Sequence, residues 1–326
     1  MKNQANRKLI SNTVFLYLMT TSIQILNLLT VPYLSRVLGP TEYGQIGLAL
    51  GYMAYVQIIL DFGFTLYATK KISENKTDKC KIEYIITAVT FIKVILAVCL
   101  GVVFLLFLYI NVFDVTLMTI LQVYLLGYLI TALLPDFYYR GMENMKSIAL
   151  RTLIVRVLFT LLIFLCVRKK EDIMFVPVCF LVGSILAFII TAADIRWKKQ
   201  ITFRWPGRKY VMSMVRSAFP YFTSRFASTF YQALNVIIIG KIYGTAPEVG
   251  YYTSSDKCLS LVKMGSSPIA DSLYPYMLNH KNYRLIKRLL GFVMPIITVG
   301  VIIIGIYAEP ICEFVFGDGY ACLLYT

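Results

Sequence analysis

Long apolar runs recur along almost the whole of this 326-residue chain. A single α-helix needs about 20 mostly apolar residues to cross the hydrocarbon core of a bilayer. The sequence contains about nine runs of that kind. They cover residues 10–33, 43–66, 82–109, 115–134, 147–167, 173–195, 210–240, 250–278 and 289–308. The runs predict an all-α fold, a polytopic bundle of transmembrane helices.

The composition agrees with a chain that lies mostly in lipid. Charged residues make up only 15% of the chain and hydrophobic residues 58%, whereas a soluble domain carries about 25% charged residues. No loop between the apolar runs is longer than about 15 residues, which is too short for a soluble domain. The seven cysteines form no CxxC pair, and His280 is the only histidine. We therefore expect no metal site and no cofactor.

The basic residues are distributed unevenly between the predicted loops. Nucleic acid is the usual partner of a chain with a net charge of +15, but here the charge lies between apolar runs, so we expect membrane lipids instead and no nucleic acid. Most basic residues fall in the N-terminus and in four loops, at 70–83, 136–146, 196–209 and 279–288. The opposite side holds Arg36, Arg168, Lys169, Lys170 and Lys241. The positive-inside rule then places the N-terminus in the cytoplasm of a multi-pass protein of the cytoplasmic (inner) membrane.

This topology predicts which loops a membrane-impermeant reagent can reach. A cysteine introduced into residues 196–209 should stay unlabelled in intact cells, because that loop is predicted to be cytoplasmic. Labelling should appear only after the membrane is permeabilised. Labelling in intact cells would contradict the predicted orientation.

A short motif occurs twice. Gln-Ile-Leu-Asn at 24–27 recurs as Gln-Ala-Leu-Asn at 232–235, and Glu-Tyr-Gly at 42–44 recurs as Glu-Val-Gly at 248–250. The near-constant offset predicts two parallel six-helix repeats, which in transporters enclose the substrate. We expect an N-terminal six-helix lobe over residues 1–200. Residues 201–326 are expected to form a partial C-terminal lobe of about three helices, so the second repeat is incomplete in this chain.

Ionisable residues inside the runs are candidates for a binding site, because each costs about 2.5–3.5 kcal/mol to insert unless it faces protein or water. Four basic residues lie near the middle of their runs: Lys93, Arg156, Arg225 and Lys263. Three acidic residues lie nearer the ends and are candidates for coupling or for ion pairs: Asp61, Asp256 and Asp271. With no acidic residue at the middle of a run, the interior is predicted to be cationic and to bind an anionic cargo such as a pyrophosphate. The alternative is that each charge is part of an internal ion pair or extends to the membrane surface.

Polar residues form a matching stripe on the first and seventh runs. Gln24 and Asn27 lie on one helical face, as do Gln232 and Asn235. We predict that these four residues bind sugar, the alternative being interhelical hydrogen bonds that hold the bundle together. Prolines and glycines mark predicted bends at Pro32, Gly63, Pro135, Pro220, Gly265, Pro268 and Pro275.

Residues 34–44, Leu-Ser-Arg-Val-Leu-Gly-Pro-Thr-Glu-Tyr-Gly, resemble the first external turn of the Wzx-type polysaccharide flippases. These belong to the multidrug/oligosaccharidyl-lipid/polysaccharide exporter superfamily. Later segments are similar to that family too: 61–64, 135–143, 250–252 with Lys257, and 274–276. The resemblance implies a two-lobed bundle that works by alternating access. It also implies a cargo of undecaprenyl-pyrophosphate-linked oligosaccharide, moved to the outer leaflet for O-antigen-type polysaccharide, with polymerase and chain-length regulator proteins as partners.

Two other functions remain as alternatives. A multidrug or cation exporter of the same superfamily would need acidic residues at the middle of the membrane to hold its cargo, and the sequence places none there. A membrane-embedded polysaccharide-processing enzyme would need a long external loop or a His/Asp/Glu cluster, and neither occurs in the sequence. We therefore expect a transporter and not an enzyme.

Overall fold

The computed structural model describes residues 21–110, 114–244 and 247–256, which are helical almost throughout and contain no β-strand. The helices are α1 (21–38), α2 (Pro40–Asp61), α3 (Phe64–Glu74), α4 (Lys79–Ile110), α5 (Val115–Ala132), α6 (Asp136–Gly141), α7 (Met145–Cys166), α8 (Phe175–Ala193), α9 (Arg208–Tyr243) and α10 (247–256). A 3₁₀ turn at Lys170–Met174 precedes α8 and a π turn at Asp194–Lys198 follows it. The predicted all-α fold is confirmed for these ranges.

Within the described residues, five helical segments are long and apolar enough to cross a membrane. They are Pro40–Glu74, Lys79–Ile110, Val115–Gly141, Met145–Cys166 and Lys170–Lys198, and they correspond to the predicted second to sixth runs to within one residue or contain them. The seventh run lies within α9. In that helix only the stretch Leu234–Tyr243 is strongly apolar, and it is shorter than the five segments above. The first and eighth runs are described in part, and the ninth lies outside the described residues.

Helix α2 occupies the centre of the bundle and packs against α5 and α9, while α8 packs against α5 and α7. Leu38, Met53 and Leu121 are fully buried in this core. Large apolar side chains also cover the outer surface, and Val98 and Val103 of α4 are 62% and 60% exposed. An apolar surface around an apolar core is the arrangement expected when the solvent is lipid.

Two of the helical segments are broken, at positions where a bend was predicted. The chain turns between α2 and α3 at Gly63, whose φ is +74° and where an added Cβ would lie 2.6 Å from the backbone nitrogen of Phe222. Only glycine fits that backbone conformation and that close approach. The second break lies at Pro135, between α5 and α6. At Pro220, by contrast, α9 continues through the proline.

Within the described residues, the loops that are rich in basic residues lie at one end of the bundle. Lys76, in the turn before α4, forms an ion pair of 2.5 Å with Glu143, in the turn before α7. At the opposite end, the hydroxyl of Tyr33 on α1 donates a hydrogen bond of 2.7 Å to the carbonyl of Val167, just after α7. The predicted cytoplasmic loops in the described part of the chain therefore share one end.

Candidate functional site

A cavity of about 330 Å³ lies beside the two helix breaks. It is lined by the end of α2 and start of α3, by α4, by the end of α5 and start of α6, and by α9. Its charged lining residues are Asp61, Lys93, Asp136, Arg140 and Arg225. Hydroxyl and amide groups of Gln57, Thr65, Thr131 and Thr229 complete a polar wall. The breaks matter because each brings a polar residue, Asp61 or Asp136, inward at the point where the helix ends.

Lys93 is the most deeply buried of these charges. Its residue is only 5% exposed, and its Nζ lies 5.7 Å from the ring centroid of Phe137 on α6. A buried ammonium requires nearby negative charge, and the carboxylates of Asp61 and Asp136 both interact with it electrostatically. The expectation that the basic residues of the interior have no acidic neighbour is therefore wrong for this cavity.

Each of the two carboxylates has further partners. Asp61 Oδ1 accepts a hydrogen bond of 2.5 Å from the hydroxyl of Thr65, one turn along the chain. Asp136 Oδ1 forms an ion pair of 2.7 Å with Arg151 of α7, whose second terminal nitrogen donates to Thr191 at 3.0 Å. The negative charge of Asp136 is thus compensated by Arg151, which does not line the cavity. Asp61 lines the cavity with Lys93 and forms no ion pair of this kind among the described residues.

The remaining charges, Arg140 and Arg225, are exposed and lie on α6 and α9. The wall therefore carries three basic and two acidic side chains, and one of the acids is paired with Arg151. The lining thus has one more basic than acidic side chain, and it is not free of acids. Since Lys93 lies on α4 and Arg225 on α9, the site spans the two predicted repeats.

Arg156 lies in a different place. Its Nη2 donates to the side-chain oxygen of Asn27, and its guanidinium lies 5.1 Å from the ring centroid of Phe159. Its Nε is buried and has no hydrogen-bond partner in the described part of the chain. A residue predicted to bind pyrophosphate thus contacts one predicted to bind sugar, on α7 and α1, and neither lines the cavity with Lys93.

The other predicted residues are dispersed. Gln24 is half-buried on α1, and Asn235 is exposed on α9, the helix that also contains Gln232. Asp256 is exposed at the last described position of α10. Lys263 and Asp271 lie outside the described residues, so their predicted roles stay predictions.

Sequence reasoning missed Asp136 and Arg140. Both fall in a polar stretch that reads as a loop after the fourth run. The available signal was Pro135, which was predicted to bend the chain, followed at once by an acidic residue. A helix break next to a charge often marks a site inside a membrane protein.

Two solved structures share this fold. One is the inward-facing conformation of a multidrug resistance MATE family transporter of the MOP superfamily, with a TM-score of 0.65, 15% identity, and coverage of 93% of this chain and 76% of the other. The second is a MATE structure in the bent conformation, with a TM-score of 0.53, 17% identity, and coverage of 95% and 76%. The chain therefore shares the fold of these MATE structures.

The sequence comparisons define the family. Residues 9–281 match the family described as polysaccharide biosynthesis protein, and the chain belongs to that family. Two relatives carry the name Putative O-antigen transporter. The one from Escherichia coli K12 is 27% identical, over 95% of this chain and 76% of its own length. The one from Shigella dysenteriae is 22% identical, over 85% and 69%. The resemblance to polysaccharide flippases is thus confirmed.

Proposed function

We propose that this protein moves an oligosaccharide linked to undecaprenyl pyrophosphate from the inner to the outer leaflet of the cytoplasmic membrane. The family and the relatives named as O-antigen transporters support a polysaccharide unit as cargo. The observation that carries the proposal is the cationic cavity at the helix breaks, in which Lys93, Arg140 and Arg225 meet.

The chemistry of the cavity suits a pyrophosphate. This group brings two or more negative charges, and an unpaired ion in a low-dielectric medium is very costly. The guanidinium of Arg225 offers a planar pair of donors that match two phosphate oxygens, whereas the ammonium of Lys93 acts as a point charge. Fixed cations thus replace the water that the pyrophosphate loses on entering.

The acidic residues give the cavity a way to release its cargo. In the empty site Asp61 supplies negative charge near Lys93, and an arriving pyrophosphate takes over that role. When the cargo leaves, the carboxylate again neutralises the lysine, so the charged wall is never left unpaired. Of the residues predicted for coupling, Asp61 is therefore the one that we favour.

Alternating access would act between the lobe of residues 1–200 and residues 201–326. The cavity spans both, because α9 supplies Arg225. At the end of the bundle opposite the basic loops, α2 packs closely on α10 through Gly47 and Thr253. In this proposal that contact closes the outside while the cavity faces the cytoplasm, where the N-terminus also lies.

A single substitution on α9 tests the cavity. Arg225→Ala should abolish polysaccharide export, while Arg225→Lys should retain part of it because the charge remains. The measurement is surface polysaccharide in a strain that depends on this gene, at equal levels of inserted protein. Arg216→Ala is the matched control, since Arg216 is exposed on the same helix but does not line the cavity. Normal export by the Arg225→Ala variant would remove this residue from the site.

Export of cationic drugs is the second candidate, and one observation favours it. Asp61 and Asp136 line the cavity, and carboxylates are what a cationic drug requires. In that case Asp61→Asn should abolish drug resistance, and Arg225→Ala should leave it intact or raise it. Measuring both export activities in the same pair of variants separates the two functions.

A further inference from the structure

A second cavity, apolar and open at the surface, lies between α4 and the first turns of α9. This groove has a volume of about 650 Å³, which is within the range of about 300–1,000 Å³ for small-molecule sites. Ile92 and Ile95 line it on α4, and Val211 and Val215 line it on α9. Its one charged lining residue in the described part of the chain is Arg208, which begins α9 and is exposed.

The linker before α9 fixes the shape of this groove. Arg204 pairs with Glu83 of α4 at 3.2 Å, and its backbone N–H donates to Thr87 at 3.0 Å. The ring of Trp205 then meets Phe91 edge-on at 4.7 Å and lines the groove. These contacts follow one face of α4, with a spacing of four residues. They hold the cationic start of α9 at the end of the groove nearest the basic loops.

The wall between the groove and the cationic cavity is one residue thick. Phe62 lines the groove, while its neighbours Asp61 and Gly63 line the cavity. On α4, Ile92 lines the groove and Lys93 lines the cavity. A molecule in the groove therefore lies directly beside the site where the charged part of the cargo is proposed to bind.

We infer that the groove binds the isoprenoid chain of the phosphate-linked polyprenyl carrier, with the phosphate at Arg208, as the loading position for the cargo. This inference rests on the proposed function. The apolar walls suit a hydrocarbon chain, and Arg208 supplies the charge that a phosphate requires. Positions 208 to 215 of α9 extend about 10 Å along the helix axis. The first isoprene units would lie there while the rest of the chain remains in the bilayer.

Tryptophan fluorescence can report on this site. Trp197 and Trp205 are the only two tryptophans of the chain, so a Trp197→Phe background leaves a single reporter in the groove. Undecaprenyl phosphate, added to the purified full chain in detergent, should change the Trp205 emission and saturate. Polyprenol without phosphate should bind about tenfold more weakly, because it lacks the charged hydrogen bonds. Phosphatidylglycerol at the same mole fraction should not reproduce the saturable change.

Matched variants assign the binding to the groove. Arg208→Gln should weaken binding about tenfold, whereas Lys209→Gln, which removes an adjacent exposed charge outside the groove, should change it by about twofold or less. Ile95→Phe fills the groove and should also weaken binding. Val102→Phe is its control, because Val102 is 53% exposed two turns along α4 and does not line the groove.

Three outcomes would overturn the inference: no saturable change, an equal response to phosphatidylglycerol, or equal effects of the two charge variants. The assay measures binding without transport, so the result for the unmodified protein and the groove variants stands apart from the export test of Arg225→Ala. If the unmodified protein binds the carrier and the Arg225→Ala variant exports normally, only the proposed cavity is contradicted. If the Arg225→Ala variant loses export and the unmodified protein does not bind the carrier, only the groove is contradicted.

Discussion

Replacing Lys93 with methionine is expected to abolish polysaccharide export and to lower the thermal stability of the purified protein. Lys93 is 5% exposed and shares its cavity with two carboxylates. Without the lysine, the carboxylates lose the buried positive charge that interacts with them, which should lower the stability of the fold. Asp136 keeps Arg151 as a partner, so the penalty should come mainly from Asp61. Export in a dependent strain and the melting temperature in detergent measure the two effects.

A second substitution separates the two roles of Lys93. In the Lys93→Met, Asp61→Asn double variant the unpaired charge is gone, so stability should return towards that of the unmodified protein. Export should remain lost, because the cation that meets the cargo is still absent. Recovery of export along with stability would mean that Lys93 is only the structural partner of Asp61.

Gly47→Ala is expected to reduce export by about tenfold or more by preventing the close contact of α2 with α10. A Cβ at Gly47 would lie 2.7 Å from the Cβ of Thr253, closer than such atoms approach. Overpacking of this kind costs about 1–3 kcal/mol, which exceeds the roughly 0.5–1 kcal/mol that alanine gains over glycine within a helix. The closed state of this end should therefore become less populated.

Accessibility of a buried position reports on that state directly. Ser254 is fully buried next to Thr253, so Ser254→Cys, in a background without the native cysteines, should react with an impermeant reagent only when the contact opens. Labelling should rise in Gly47→Ala. It should stay low in the control Gly51→Ala, where an added Cβ comes no closer than 3.4 Å to Val236. A Thr253→Gly substitution should restore export to Gly47→Ala. Unchanged labelling in Gly47→Ala would show that this contact does not close the outside.

Much of the fold could be predicted from the sequence, because the bilayer imposes a length and a polarity on each helix. The second to sixth apolar runs correspond to the five long apolar segments. Gly63 and Pro135 were predicted as bends, and both are breaks. At these positions the local backbone decides the outcome, since one residue adopts a positive φ and the other lacks an N–H.

The site could be predicted less well, because its contacts join distant parts of the chain. Asp61 was assigned to a helix end, since the apolar run stops at residue 66. Asp61 is indeed the last residue of α2, but the segment continues as α3 to Glu74, so this helix end lies inside the segment and beside the cavity that Lys93 lines. The contact between Arg156 and Asn27 joins the fifth run to the first. Which basic residues share a cavity depends on how the helices pack, and periodicity along one helix does not determine that.

Transport in proteoliposomes tests the cationic cavity most directly. The purified protein would be reconstituted with a pyrophosphate-linked oligosaccharide, and the glycan reaching the far leaflet would be measured with an impermeant lectin. The unmodified protein should accelerate its appearance, whereas the stable Lys93→Met, Asp61→Asn variant should not exceed protein-free liposomes. Equal rates for the two proteins would contradict the proposal that the cavity at Lys93 carries the charged part of the cargo.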